Sequence, residues 1–263
     1  MSSPIGKLPT SNGEMDSEID MVPIPSRGRT FSAKRMVRLG DVSPKGRLRL
    51  DAVARYVQDV SNDDTVDAGL RDDMSWVVRK TVINVHREAM LRESLRLTTF
   101  CGGTGSRWAE RRVSIQGENG AHIEASTLWV HLDSETGRPK KLPSQFHEIY
   151  DEAANGRVVR ARLSHPGRDD AADKTVAWPL RFCDFDVLGH MNNALAWAVV
   201  EEERSTVGGF AVPYRAEAEY RLPIERGAQV EYAVKHDING GLQLWLVTPE
   251  ADEPLVSALI APL

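Results

Sequence analysis

The sequence has little cysteine: two residues, Cys101 and Cys183, in a chain of 263. They stand far apart and in no spacing typical of a metal site or redox pair, which argues against a disulfide scaffold and indicates a reducing compartment. No segment approaches the ~18 consecutive apolar residues of a membrane-spanning helix, and no signal-peptide core follows the first methionine. We therefore expect a cytoplasmic protein with no membrane span.

Positive charge is also limited, because 33 Lys and Arg stand against 38 Asp and Glu, which gives a net charge of −5. A chain of this sign is not a nucleic-acid binder as a whole, and no helix-turn-helix or basic reading segment is present. The length suits two domains of roughly 100–130 residues. The composition thus favours a globular protein with two domains and a partner other than nucleic acid.

The order of sequence patterns begins with a polar tail. Residues 1–30 are rich in Ser, Pro, Gly and Asp without periodicity, and we interpret them as mobile. Apolar residues at helical spacing then predict one long helix from Leu50 to Val60. Strand patterns separated by turn signals follow between Trp76 and Leu132.

The same order of patterns occurs a second time. Val37–Asp41 is echoed by Leu180–Asp184, and Gly46 by Gly189, all at an offset of 143 residues. A strand, a helix and a run of strands used twice indicate an internal duplication. We therefore predict an α+β fold in which each antiparallel sheet wraps around a central helix. Two such sheets placed edge to edge would each lose an exposed edge.

The duplication divides the chain into predicted segments. We place an N-terminal repeat at 31–150, a linker at 151–175 and a C-terminal repeat at 176–263. Two expectations about burial accompany this division. Cys183 should face the core as an inert thiol, and the run Asp59, Asp63 and Asp64 should form a solvated helix end.

The densest group of polar residues lies in the turn before the second helix. Asp186, His190, Asn192 and Asn193 combine a carboxylate, an imidazole and two amides within ten residues. Turn and cap formation explains such residues in many proteins. A chemical role is the alternative, because this is more than a turn requires.

The first repeat favours the chemical role. At the same offset it has Ser43 in place of Asp186, Arg47 in place of the histidine and Leu50 in place of Asn193. A turn that was only structural would have no cause to differ in this way. One repeat is therefore expected to carry the chemistry and the other to do something else.

The polar segment, Asp-x-x-Gly-His-x-Asn-Asn before a helix, resembles the active-site segment of hotdog thioesterases. It is most similar to the acyl-ACP thioesterase family of plants and bacteria. Trp76–Arg79, Ala125–Val130 and the basic stretch 137–143 resemble the first half of that family. The resemblance extends from Phe31 to Leu263. It implies a tandem double hotdog with the active site in the C-terminal repeat, and hydrolysis of fatty acyl-ACP during fatty acid biosynthesis.

The resemblance implies roles for single residues. Asp186, His190 and Asn193 match positions that the family fills, whereas Leu188 stands where the plant enzymes have a catalytic asparagine. Those enzymes also carry an acidic or cysteine residue on a later strand, for which Glu225 is the nearest candidate.

A further glutamate, Glu202, matches one that follows the helix of the plant enzymes. A solvated helix residue is the alternative interpretation. In the implied mechanism Asp186 acts as general base on water, and N–H groups at the helix N-terminus polarise the thioester carbonyl. His190 holds the loop or assists the leaving thiolate. No metal and no cofactor are required.

The first repeat would then hold the acyl chain. The family resemblance places the chain along the first helix and under the strand from Trp76, with Val53 and Val57 as lining residues. Asn192 is a further candidate for contact with the substrate. Chain length cannot be predicted from this pattern.

Local positive patches bear on the partner. The segment Lys34–Arg49 has six basic residues against one acid, and Arg138–Lys141 adds a second cluster. Such patches could steer an acidic acyl carrier protein. They could equally bind coenzyme A phosphates or be ordinary surface, and a homodimer is left open.

Three alternatives accompany the main hypothesis. An acyl-CoA thioesterase would use the same site. A hotdog hydratase would need an aspartate–histidine pair in another spacing, which the sequence lacks. A non-catalytic acyl-binding hotdog would have lost the carboxylate, and Asp186 is present.

Overall fold

A computed structural model of the protein describes residues 21–70, 75–169, 171–206, 209–237, 240–249 and 253–263. Most of the predicted tail, residues 1–20, lies outside the described residues. The part that is described leads into the first strand. There Arg29 donates to Asp64 Oδ1 (2.7 Å) and to Asp67 Oδ2 (2.6 Å).

The described residues form ten strands and three helices. The strands are β1 (Thr30–Met36), β2 (Ser75–Arg87), β3 (Ser94–Thr104), β4 (Trp108–Gly117), β5 (His122–Leu132), β6 (Lys174–Trp178), β7 (Tyr214–Tyr220), β8 (Val230–His236), β9 (Leu242–Val247) and β10 (Val256–Pro262). The helices are α1 (Leu50–Asp67), α2 (Ser144–Ala154) and α3 (Asn193–Thr206).

All ten strands join one antiparallel sheet in the order β1-β3-β4-β5-β2-β7-β10-β9-β8-β6. We call β1–β5 with α1 the N-terminal half, and β6–β10 with α3 the C-terminal half. Each half, followed from its outer strand to the centre, has the same order of strands. The predicted α+β class with a large antiparallel sheet is confirmed.

The repeated offset is visible in local structure. One-turn 3₁₀ helices at Leu39–Asp41 and Phe182–Asp184 are 143 residues apart, as are the first residues of α1 and α3. In each turn a buried aspartate accepts a backbone N–H three residues earlier: Asp41 from Arg38 (2.9 Å) and Asp184 from Arg181 (2.8 Å). Both turns therefore direct the chain into its helix in the same way.

The two long helices lie side by side over one face of the sheet and contact each other. The apolar stripe of α1 is buried as predicted, with Val53, Val57 and Val60 each 1% exposed. On α3 the large buried side chain is Trp197. Burial of these stripes stabilises the helices, because each side chain adds about 1.5–3 kcal/mol when fully removed from water.

The join between the halves is the antiparallel pair β2 and β7, aligned from Lys80↔Glu219 to Val85↔Tyr214. On the face away from the helices, Lys80 Nζ lies 2.7 Å from Glu217 Oε2 and 3.7 Å from Glu219 Oε1. Burial by itself raises the pKa of Glu217, but contact with His165 and with the Lys80 charge outweighs burial and lowers the pKa to about 2. The join is thus held by buried charges as well as by the strand ladder.

Helix α2 covers the sheet beyond the end of α1. Its Phe146 and Tyr150 pack in a second apolar cluster with Cys101 of β3. Here one expectation was wrong: Asp64 is not solvated but 1% exposed. It accepts from Tyr150 Oη (2.8 Å) and pairs with Arg111 and Arg29, since a tertiary contact between α1, α2 and β4 encloses it.

The segment after α2 crosses the opposite face of the sheet. Trp108 Nε1 donates to Val159 O (2.9 Å) in the N-terminal half, and Trp245 Nε1 donates to Pro166 O (3.1 Å) in the C-terminal half. The segment therefore ties both halves together. Within the described ranges, no helix is long and apolar enough to cross a membrane.

Candidate active site

The polar segment identified in the sequence forms a tight turn before α3. Gly189 N donates to Asp186 O (3.0 Å), and Asp186 N donates to His190 O (2.9 Å). Gly189 has φ +78°, which favours glycine at this position. The Asp186 carboxylate accepts the Leu188 N–H (2.9 Å). The half-buried Asp186 side chain is thereby fixed on an exposed turn through one of its oxygens.

The turn is joined to the strand segment after β7. Met191 N donates to Ile224 O (2.8 Å), and His190 forms an antiparallel bridge with Glu225. The carboxylate of Glu225 is exposed and the imidazole of His190 half-buried. The structure therefore brings Glu225 beside the catalytic candidates, although 35 residues separate it from His190 in the chain.

The two asparagines have different surroundings. Asn192 Oδ1 accepts the Ala194 N–H (2.9 Å), which is the contact of a helix N-cap. Asn193 is the first residue of α3, and its carbonyl accepts Tyr220 Oη–H (3.1 Å). Asn192 thus has a structural role at the helix start, while Asn193 borders a cavity.

This cavity lies between the start of α3, the middle of α1 and the central strands. Its lining residues are Ala54, Val57, Gln58, Val78, Thr81, Thr127, Asn193, Ala194 and Tyr220. Burial raises the pKa of the Tyr220 phenol above its ordinary value, against the opposing effect of hydrogen bonds with Thr81 and Trp197. Tyr220 therefore stays protonated and donates near neutral pH.

Val57, a predicted binding residue, and Asn193, a predicted catalytic residue, meet at this cavity. Val53 lies one helical turn away in the core and does not line it. Trp76 packs on His131 (5.2 Å between ring centroids) and on Phe146 (5.6 Å), so it lies beside α2.

Glu202 lies nine residues along α3 from Asn193, which is about 13 Å along the helix axis. Its side chain is exposed, whereas the neighbouring Glu201 and Glu203 are buried. The structure therefore does not bring Glu202 together with Asp186.

The equivalent place in the N-terminal half is filled by protein. Arg47 forms a bidentate pair with Glu201 of α3, at 2.9 Å to Oε1 and 2.5 Å to Oε2. The same carboxylate accepts the Leu50 N–H (2.8 Å) at the start of α1. Sequence analysis missed Glu201. The repeat offset showed that Arg47 is equivalent to His190, but it could not identify the residue that Arg47 binds.

One expectation near the site was wrong. Cys183 is exposed rather than buried, because it belongs to the 3₁₀ turn at Phe182–Asp184 and not to a strand. Only the neighbouring Asp184 faces inward. No group of three His, Cys, Asp or Glu side chains among the described parts of the chain is arranged to hold a metal.

The predicted basic patches are partly neutralised. Arg47 pairs with Glu201, and Arg49 Nε lies 2.8 Å from Asp51 Oδ1. Lys140 Nζ lies 3.2 Å from Asp133 Oδ2. The basic side chains of these segments that remain exposed are Lys34, Arg38, Lys45, Arg138, Lys140 and Lys141.

Comparison with known proteins agrees with this architecture. Residues 28–150 match the model of the acyl-ACP thioesterase N-terminal domain. An uncharacterized protein of Mycobacterium tuberculosis is 30% identical over 215 residues, which cover 81% of this chain and 85% of the relative.

Solved structures of the same fold include three thioesterases. A protein described as an oleoyl thioesterase, from Lactobacillus plantarum, has a TM-score of 0.77 at 18% identity and covers 89% of this chain and 96% of its own. The 12:0-ACP thioesterase of Umbellularia californica has a TM-score of 0.74 at 19% identity, and the match covers 89% of this chain and 97% of that protein. An acyl-ACP thioesterase of Bacteroides thetaiotaomicron has a TM-score of 0.72 at 14% identity, and the match covers 88% of this chain and 96% of that protein.

The domain match, the Mycobacterium relative and the shared fold agree with the family resemblance of the sequence. The expectation of a thioester hydrolase is thereby confirmed at the level of the family. This chain belongs to the acyl-ACP thioesterase family.

Proposed function

We propose that this protein hydrolyses fatty acyl-ACP to a free fatty acid and the thiol of the carrier protein, as a cytoplasmic enzyme of fatty acid biosynthesis. Its fold would be a tandem double hotdog, with repeats at 31–150 and 176–263 and a linker at 151–175. The observation that carries the proposal is the first residue of α3, Asn193, which follows the turn that carries Asp186 and borders an internal cavity, while the equivalent residue of α1, Leu50, is bound by Glu201.

The chemistry needs a base, an electrophile and a place for the leaving thiolate. Asp186 would take a proton from water, because one of its oxygens is held by Leu188 N–H and the other is available. The Asn193 N–H at the start of α3, which is equivalent to the Leu50 N–H that Glu201 binds, would stabilise the oxyanion together with the positive end of the helix dipole. His190, next to Glu225, would protonate the departing thiolate.

The acyl chain would extend from this point along α1. Val57 lines the cavity at the start of α3, and the buried face of α1 continues from there towards Val53 and Val60. The cavity is narrow, so entry of a chain requires side chains to move apart. Trp76 would contact only the far end of a long chain, because it packs beside α2.

An acyl carrier protein is the proposed partner. The exposed residues Lys34, Arg38 and Lys45 lie on β1 and on the turn that precedes α1, in the half that would hold the chain. Positive groups around an entrance raise the association rate of an acidic partner.

The test is release of free thiol from purified full-length protein mixed with acyl-ACP or acyl-CoA of the same chain length. We expect acyl-ACP to have the higher kcat/KM. If only acyl-CoA is hydrolysed, the substrate carries coenzyme A instead of the carrier protein. Binding of both without hydrolysis would favour a non-catalytic acyl-binding protein.

A further inference from the structure

The helices α1 and α3 each place one side chain at the N-terminus of the other, and these two side chains occupy equivalent positions. Glu201 of α3 accepts the Leu50 N–H at the start of α1 (2.8 Å). Gln58 is 143 residues earlier, and it lines the cavity at the start of α3 together with Asn193 and Ala194. The two halves therefore differ by a carboxylate at one helix end and a neutral amide at the other.

A second observation points to a small polar ligand in this cavity. Thr127 of β5 lines it and is 2% exposed. Its Oγ1 is buried and has no hydrogen-bond partner within the described protein. The hydroxyl of Tyr220, by contrast, is used by Asn193 O (3.1 Å). Because buried hydroxyls in native proteins are almost always hydrogen-bonded, Thr127 requires a partner beyond the described residues, and a bound water would supply it.

The chemistry of Gln58 fits water better than it fits an anion. A carboxylate at this position would bind the N–H groups of α3, as Glu201 binds Leu50 N–H, and would repel an oxyanion formed there. An amide carries no charge, so its oxygen can accept from water while the Asn193 N–H stays available to a thioester carbonyl.

We propose that Gln58 and Thr127 bind the attacking water of the hydrolytic reaction at the N-terminus of α3. This inference rests on the proposed function. The water oxygen forms a bond to the acyl carbon as the carbon–sulfur bond breaks. One water proton passes to Asp186, His190 gives a proton to the thiolate sulfur, and the proton on Asp186 then restores His190. Gln58 and Thr127 exchange no proton; they hold the water in line with the carbonyl.

The experiment uses Gln58→Met and Thr127→Val, which keep size but remove hydrogen bonding, and their double variant. Asp59→Asn is the matched control, because Asp59 is the adjacent, exposed residue of α1. We expect each single variant to lower kcat about 10–100-fold, since misplacing a reactant by ~1 Å costs on this order. KM should change less than about twofold.

The double variant should lose no more than the worse single variant, because both side chains act on one water. If Gln58→Met lowers the melting temperature, Thr127→Val decides alone, because the two substitutions lie on different elements. Additive losses in the double variant, or an unchanged kcat in Thr127→Val, would overturn the proposal.

A competing nucleophile gives a readout that a purely structural role would not move. Hydroxylamine added to the reaction converts part of the thioester to hydroxamate. When Gln58 no longer holds water, the ratio of hydroxamate to fatty acid should rise. An unchanged ratio, with both products reduced together, would mean that Gln58 acts on the carbonyl or on the fold, which contradicts the proposal.

Failure of this inference is distinguishable from failure of the proposed function. An active wild type with an inactive Asp186→Asn variant and a fully active Gln58→Met variant would remove only the water site. A wild type that hydrolyses neither acyl-ACP nor acyl-CoA would overturn both.

Discussion

The N-terminal ends of α1 and α3 are equivalent positions in a repeated topology, yet they are filled in opposite ways. At α1, Arg47 and Glu201 occupy the space and satisfy the Leu50 N–H. At α3, the turn carries Asp186 and the helix end faces a cavity. The difference shows that one of two equivalent positions serves as a structural contact between the helices, while the other carries the groups that the proposed hydrolysis would use.

The first prediction concerns the Glu201 contact at the start of α1. Glu201→Ala should lower the free energy of unfolding by about 3–5 kcal/mol, because it leaves the buried charges of Arg47 and Arg204 without this carboxylate. Denaturant unfolding measures the effect. Glu202→Ala, an exposed change one residue away, should stay within about 0.5 kcal/mol. Equal losses in the two variants would show that the Glu201 contact is not a structural closure.

The second prediction concerns the join between the halves. The lowered pKa of Glu217, about 2, means that its ionised form stabilises the fold above its unfolded-state pKa near 4.5. This stabilisation should disappear as the pH falls from about 4.5 to about 2. The difference in unfolding free energy between wild type and Glu217→Gln should therefore shrink by about 3 kcal/mol, because the two pKa values differ by about 2.5 and each unit corresponds to 1.36 kcal/mol. A difference independent of pH would contradict a charged join.

The third prediction sharpens the division between chain binding and chemistry. Val57→Trp should lower kcat/KM for long acyl chains by ~10–200-fold and leave short chains unchanged. Val200, at the equivalent position of α3, is also buried. Val200→Trp should destabilise the protein by ~1–3 kcal/mol through overpacking and affect all chain lengths alike. If Val57→Trp also reduced all lengths alike, the acyl chain would lie elsewhere.

The smallest expected effect is on the binding of the carrier protein. Lys45→Glu should raise KM for acyl-ACP about two- to fivefold at low salt, because one exposed charge contributes about 0.2–1 kcal/mol. Arg162→Glu makes the same charge change on the segment that crosses the opposite face of the sheet, and it should have no effect. An equal effect of both substitutions would mean that net charge matters and the patch does not.

Much of the fold could be predicted because it depends on local patterns. The stripe of Val53, Val57 and Val60 gave α1, and the turn residues shared by Asp41 and Asp184 gave the duplication. Such signals lie within a few residues, where spacing fixes which side chains share a face. The Asp186–Asn193 turn was found for the same reason.

What could not be predicted depends on contacts between distant elements. Glu201 meets Leu50 across 151 residues, and Asp64 is buried by α2 and β4. Asp64 has the same local pattern as a solvated helix end, so only the tertiary structure distinguishes the two. Glu225 was found from the resemblance, and its place beside His190 follows from a loop after β7 that carries no periodic signal.

The central claim is that the general base of the reaction belongs to the C-terminal half, and one comparison tests it most directly. Asp186→Asn and Ser43→Ala change equivalent positions of the two halves, and kcat/KM for one acyl-ACP substrate is measured with both folded variants. We predict that Asp186→Asn lowers kcat/KM about 10²–10⁴-fold, as expected when a general base is removed. Ser43→Ala should keep kcat/KM within about twofold of the wild-type value. Full activity in Asp186→Asn, or a larger loss in Ser43→Ala, would contradict the account.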